Sequence, residues 1–278
     1  MASCTSTNCI IRNNTCTYAY NTVYRGVGAN GGTHYNALFE NNTPAYYGEA
    51  GGVYNAKAIN CKFIKHKTRP ASVGMSSTLI NCTIENNSSS TGPILKGGKY
   101  FNCSIIGNSA TNSALFTTGV YNNCLIVENS TGGSTGGDIA SASVLDNSTL
   151  ANNMPKSGKG GLSGNVSITN SIFHSNGAYD LSSGVTALNC LYYTTNGVVN
   201  PINCIVASDP LFRGERLSPE RPYSLRASSP AIDAGTTDGL TPDPNAVDFY
   251  GRKRFNNIID IGCAEYIQSD DPTRFTLR

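Results

Sequence analysis

The sequence predicts an all-β protein: a right-handed parallel β-helix of about ten coils with an irregular C-terminal cap. Three observations predict it. Cys61, Cys82, Cys103 and Cys124 lie 21 residues apart, each preceded by Asn and followed two positions later by Phe63, Ile84, Ile105 or Ile126; a fixed period of this length is the mark of stacked repeats. The unit Asn, small, any, apolar recurs beyond that stretch, as Asn8-Cys9-Ile10-Ile11, Asn36-Ala37-Leu38-Phe39, Asn147-Ser148-Thr149-Leu150, Asn170-Ser171-Ile172-Phe173, Asn189-Cys190-Leu191-Tyr192 and Asn203-Cys204-Ile205-Val206, which makes ten copies. Each strand is then followed within a few residues by Asn, as at Asn41, Asn86, Asn108, Asn129 and Asn152.

The local reasons are simple. The small and the apolar residue are two apart, so in an extended strand both point inward and the residue between them points out. Helical repeats need apolar spacings of three and four, which are missing. Asn tolerates a left-handed backbone and marks the corner where one strand gives way to the next, and stacked corner amides can form a ladder. Three corners per coil give a triangular section.

Composition fits thin coils with polar turns. Charged residues are 14% of the 278 and Trp is absent. Net charge is +2; residues 1–206 hold eleven basic against seven acidic side chains and residues 207–278 nine against eleven, which excludes the dense basic stripe of a nucleic-acid binder. No apolar run is long enough to span a membrane, and no secretory signal opens the chain. Because Met1–Cys9 is already half a coil, upstream residues, a signal included, are expected to belong to a longer protein.

Ten cysteines suggest disulfides, but geometry opposes them in the ladder. Equivalent residues of neighbouring coils sit about 4.8 Å apart with parallel side chains, whereas a disulfide needs Cβ atoms about 3.8 Å apart and converging. Cys61, Cys82, Cys103 and Cys124 are therefore expected to be core packing, like Ala37, Ser148 and Ser171 at the same place in other coils. Cys4, Cys16 and Cys263 lie outside the ladder, and their pairing is left open. No zinc-ligand spacing occurs.

After Cys204 the pattern changes. Residues 209–278 hold seven of the twelve prolines and three Asn, against 29 Asn in residues 1–206. The expected division is a β-helix over 1–207 and a separate segment over 208–278. This segment carries Ser229-Pro230-Ala231-Ile232-Asp233-Ala234-Gly235, then Asp248-Phe249-Tyr250-Gly251-Arg252, then Asp260-Ile261-Gly262-Cys263-Ala264-Glu265. Over roughly 208–266 it resembles the C-terminal signature of the choice-of-anchor Q family, bacterial surface β-helix proteins common in Bacteroidetes, with Cys263 as a departure. The coils, for instance Gly51-Gly52-Val53-Tyr54 before Asn60-Cys61, are also similar to those of bacterial adhesins. The resemblance implies an exported or envelope-associated protein and no particular reaction. Physically, an open solenoid end exposes strand edges and apolar interior, so the segment is expected to cap it, with Asp233, Asp248 and Asp260 pairing to Arg252 or Arg254. A calcium site on these carboxylates is the alternative, without EF-hand or RTX spacing to support it.

Candidate chemistry is sparse. No two carboxylates in the coils share a strand or an equivalent place in neighbouring regular coils, as a glycosidase requires. His34 and His174 are isolated and read as turn or surface residues. One basic cluster stands out, Lys62, Lys65, His66, Lys67 and Arg69, as a candidate contact for an anion or acidic glycan. Tyr192 and Tyr193 point in opposite directions, so one is exposed and available to stack on a sugar ring. The expected function is a non-catalytic secreted or cell-surface module, monomeric, adhesive or glycan-binding, with no catalytic residue or cofactor assigned. Two alternatives remain: a polysaccharide lyase, and a trimeric phage tail or appendage protein.

Overall fold

The computed structural model describes residues 4–16, 25–44, 49–68, 72–214, 221–238, 246–254 and 258–267. Among the described residues, each strand of the repeat pairs in parallel with its equivalents in the neighbouring coils, building two ten-stranded sheets and one nine-stranded sheet that wrap a common core, beside a four-stranded sheet of short strands. One coil shows the course of the chain. It runs through Ala50–Tyr54 on the first face, Lys57–Ile59 on the second and Lys62–Ile64 on the third, then through the short Lys67–Thr68 strand to Ser72–Met75, back on the first face and one rung further along. The corners between faces fall at Asn55, Asn60 and Lys65, whose φ values are 46°, 55° and 57°. All ten Asn residues that open the repeat unit have positive φ, from Asn8 to Asn203. They form the corner between the second and third faces, so each repeat unit spends its Asn on a bend as well as on its pattern.

Inside, equivalent side chains stack rung over rung. Phe39 lies over Phe63 with ring centroids 4.8 Å apart, and Tyr100 over Tyr121 at 4.6 Å. Gly52 makes room for such a ring: a Cβ there would meet the Val73 carbonyl oxygen at 2.4 Å and the Phe63 ring at 3.0 Å. Cys61, Cys82, Cys103 and Cys124 are buried free thiols. They also do a polar job that spacing alone does not reveal. The Cys61 amide donates to Cys82 Sγ at 3.4 Å, and that thiol donates to the Ile80 carbonyl at 3.3 Å. Ser148 and Ser171 take over with hydroxyls, accepting from Cys124 N and Ser148 N at 3.1 Å. The hydrogen bond with the Cys103 thiol, together with burial, pushes Cys82 up to about 12, so this thiol is un-ionised at neutral pH.

A second ladder runs along the corner after the third face. Asn87, Asn108, Asn129, Asn153 and Asn176 are buried, and each of the first four donates its Nδ2 to the next residue's Oδ1 at 2.8–3.1 Å. His66 occupies one place in this row. It is therefore an interior residue rather than part of the basic cluster. Asn42 N–H donates to His66 Nδ1 at 3.1 Å, and the His66 amide donates to Asn87 Oδ1 at 2.9 Å, but Nε2 finds no partner. Burial lowers its pKa to about 4. The unfolded chain takes up this proton near pH 6.5, so the contribution is complete above pH 6.5 and is lost as pH falls towards 4. The loss is about 3 kcal/mol over that range. His66→Asn continues the amide row, and its unfolding midpoint in urea is expected to change less between pH 7 and pH 5 than that of the parent protein.

The expected cap differs from where the described residues after Val206 pack, which is beside the coils rather than over the open end. These residues lie along the third face of the later coils. Val198, Ile202 and Val206 in the last coil stay 74%, 50% and 64% exposed. The physical reason lies in the two outward rows of that face. In the early coils they mix the charged Arg12, Glu40, Lys62 and Glu85 with Ile10, Leu38 and Ile64, whereas later they carry Leu125, Val127, Ala151, Ile172 and Leu191, all buried. Tyr223, Cys263 and Ala264 cover Leu125, Val127 and Ala151, while Leu225, Ala231 and Ile261 cover Ile172 and Leu191. Apolar side chains on a solvent face need a cover.

Candidate functional site

Four corner positions in register, Asn13, Asn41, Lys65 and Asn86, bend the chain away from the third face. Beside them Arg12 and Glu40 project from paired strands, and Lys67 and Ser88 project from the paired short strands beyond the corner. Together these eight residues line a groove of about 490 Å³. Arg12, Lys65 and Lys67 outnumber Glu40, whose Oε1 lies 3.0 Å from Lys65 Nζ. Lys65 is two-thirds exposed, so this pair adds little stability. The rim carries amides that bond one another, Asn41 Nδ2 donating to Asn13 Oδ1 at 2.9 Å.

The groove gathers Lys65 and Lys67 and leaves Lys62 on the adjoining strand, exposed. Arg69 lies outside the described residues. Tyr193 is 56% exposed, but Tyr192 is 5% exposed and belongs to the core cluster, so Tyr192 is withdrawn as a ligand contact. Spacing along the chain hides Arg12 and Glu40, which lie 53 and 25 positions from Lys65. The register reveals them, since Arg12, Glu40 and Ile64 stack in one outward row.

The histidines separate. His34 is fully buried, with Nδ1 2.8 Å from Ser6 Oγ and Nε2 3.1 Å from the Gly31 carbonyl oxygen, which corrects its reading as a surface residue. The contact with Ser6 is buried in the wall of the core. His174 is half-buried and packs edge-on against Phe212 of the C-terminal segment.

The C-terminal carboxylates serve the segment's own fold. Asp248 is fully buried and accepts from the amides of Tyr250, Arg252 and Glu265 at 2.7–2.9 Å. Asp260 accepts from the amides of Asp233 and Tyr266 at 2.7 and 2.5 Å. Arg254 forms its ion pair with Glu265, a carboxylate the sequence reading did not select. Burial raises Glu265, and Arg254 opposes that rise. Asp233, Asp260, Glu265 and Lys253 line a second hollow of about 430 Å³ with apolar neighbours. Among the described residues no three His, Cys, Asp or Glu side chains are grouped so as to hold a metal ion, and no helix is long and apolar enough to cross a membrane.

No family model matches this chain, and no curated protein is similar to it. Among solved structures it is similar to pectate lyase Pel9A, with 13% identity over 90% of this chain and 85% of that one, at a TM-score of 0.41. Full-length QnrB1, a plasmid-mediated fluoroquinolone resistance protein, is 10% identical over 73% of this chain and 92% of its own, at 0.25. HetL, a pentapeptide repeat protein from the cyanobacterium Nostoc, is 7% identical over 74% and 88%, at 0.23. The parallel strand pairing makes the protein a β-solenoid, and its residues have to supply the functional reading.

Proposed function

We propose that this chain is a non-catalytic glycan-binding module of an exported or cell-surface protein, and that the groove at Arg12, Lys65 and Lys67 is one of its contact sites. The observation that carries this reading is the makeup of the groove. It offers three cations, a rim of amides and a hydroxyl on a rigid stacked backbone, a surface that complements an anionic sugar chain. Glu40 is the only carboxylate in the lining and is committed to Lys65, so the two carboxylates of a glycosidase are not found there.

A glycan-array screen of the intact chain tests the proposal. Acidic glycans are expected among the ligands, with binding weakened by raised salt because exposed charges are screened. The double substitution Lys65→Ala, Lys67→Ala should reduce acidic-glycan binding by about tenfold. Retention of no glycan at all, or binding indifferent to salt and to both lysines, would sink the groove reading.

A further inference from the structure

The second face of the early coils carries a feature of its own. Its strands Thr33–Tyr35, Lys57–Ile59, Thr78–Ile80 and Lys99–Phe101 pair residue for residue. Two outward rows result. One reads Tyr35, Ile59, Ile80, Phe101, an apolar stripe with an exposed aromatic ring at each end, 38% and 36% exposed. The other reads Thr33, Lys57, Thr78, Lys99, a strict alternation of hydroxyl and ammonium. No carboxylate stands in either row. Alongside, the corner amides of Asn36, Asn60, Asn81 and Asn102 form an edge on which Asn60 Nδ2 donates to Asn36 Oδ1 at 3.2 Å and Asn102 Nδ2 to Asn81 Oδ1 at 2.8 Å.

We infer that this face is a second binding surface, for an extended acidic polysaccharide with one uronate in every two sugars, lying along the solenoid axis. The inference rests on the glycan-binding reading and extends it to a site and a ligand class. Rungs repeat about every 4.8 Å, close to the advance of an extended β-linked pyranose chain, so each ring meets one rung. The apolar faces of the sugars lie on Tyr35, Ile59, Ile80 and Phe101. Lys57 and Lys99 are two rungs apart, about 10 Å, so they meet carboxylates on alternate sugars, while Thr33 and Thr78 meet neutral ones. A peptide fits less well. The backbone of this face is already hydrogen-bonded to the coils on either side, leaving no free edge for strand addition.

The test measures binding of hyaluronan oligosaccharides, in which uronate alternates with a neutral sugar. Polygalacturonate, cello-oligosaccharides and polyglutamate serve as comparisons. The intact chain is expected to bind hyaluronan at least about tenfold more tightly than the neutral chain, with Lys57→Gln, Lys99→Gln removing that preference. Tyr35→Ser, Phe101→Ser should weaken every sugar ligand alike, while Lys65→Ala, Lys67→Ala leaves hyaluronan binding in place. All four wild-type side chains are exposed, so thermal midpoints should stay within a few degrees, which separates lost binding from lost folding. Equal or tighter binding of polygalacturonate overturns the alternation, and equal binding of polyglutamate overturns the glycan class. Hyaluronan binding that fails only in the Lys65, Lys67 variant overturns this site while leaving the groove standing. Failure of the intact chain to bind any sugar polymer overturns both.

Discussion

Asn108→Leu is expected to destabilise the protein by about 4 kcal/mol, with each orphaned group costing about 1–3 kcal/mol. Asn108 sits in the middle of the interior amide row, fully buried. Its Oδ1 accepts from both the backbone amide and Nδ2 of Asn87 at 3.0 and 2.9 Å; its Nδ2 donates to the Ile84 carbonyl at 2.9 Å and to Asn129 Oδ1 at 3.0 Å. Leucine has a comparable volume and none of these partners, so the donors and acceptors of three coils lose their bonds where water cannot replace them. Urea unfolding checks the magnitude. The exposed corner residue Asn86 is the control, since Asn86→Gly keeps its left-handed backbone and is expected to change stability by less than about 1 kcal/mol. A loss at Asn108 no larger than at Asn86 would contradict a cooperative amide spine.

The second large effect is at Arg254. Its guanidinium pairs with buried Glu265 and reaches across to the solenoid, where Nη2 lies 3.1 Å from Asn123 Oδ1 and 3.2 Å from the Asn147 carbonyl oxygen, as well as 2.6 Å from the Gly262 carbonyl oxygen. Arg254→Met leaves a buried carboxyl and three acceptors without their cation, at a cost of about 3–5 kcal/mol. That cost falls on the attachment of the segment rather than on the coils. Hydrogen exchange is therefore expected to rise over 222–238, 246–254 and 258–266 and over the outward residues they cover, Leu125, Val127 and Ile172, while the Phe39–Phe63 end stays protected. Double replacement of Arg254 and Glu265 by Met and Leu should recover much of the loss, because an apolar pair leaves no unpaired charge. Uniform deprotection of every coil in the single variant would mean that segment and solenoid unfold as one unit.

These two elements show what the sequence made legible. The solenoid was readable because its constraint is local and repeated: Asn at the bend, a small residue and an apolar one on the same side, in ten copies. The place of the C-terminal segment was not, because a cap and a lateral cover both need apolar residues and fixed carboxylates. The distinguishing signal lay elsewhere, in the two outward rows that lose Arg12, Glu40 and Lys62 of the early coils and gain the buried Leu125, Ala151 and Ile172 of the later ones. The proposed binding surfaces were half legible. Lys65 and Lys67 stand close in sequence, but Arg12 joins them only through register, and the stripe from Tyr35 to Phe101 exists only once four coils are aligned. His66 shows the opposite limit, a basic residue among lysines whose position in the period turns it inward.

The proposed function is that the protein holds a sugar chain on its flank without cleaving it. The direct measurement is to incubate the intact chain with uronate polymers and follow, in the same samples, the bound fraction and the ultraviolet absorbance of newly formed unsaturated ends. The account predicts a bound fraction that falls with salt and an absorbance that stays at the level of polymer alone. Rising absorbance that disappears in Lys65→Ala would contradict it and make the groove a lyase centre.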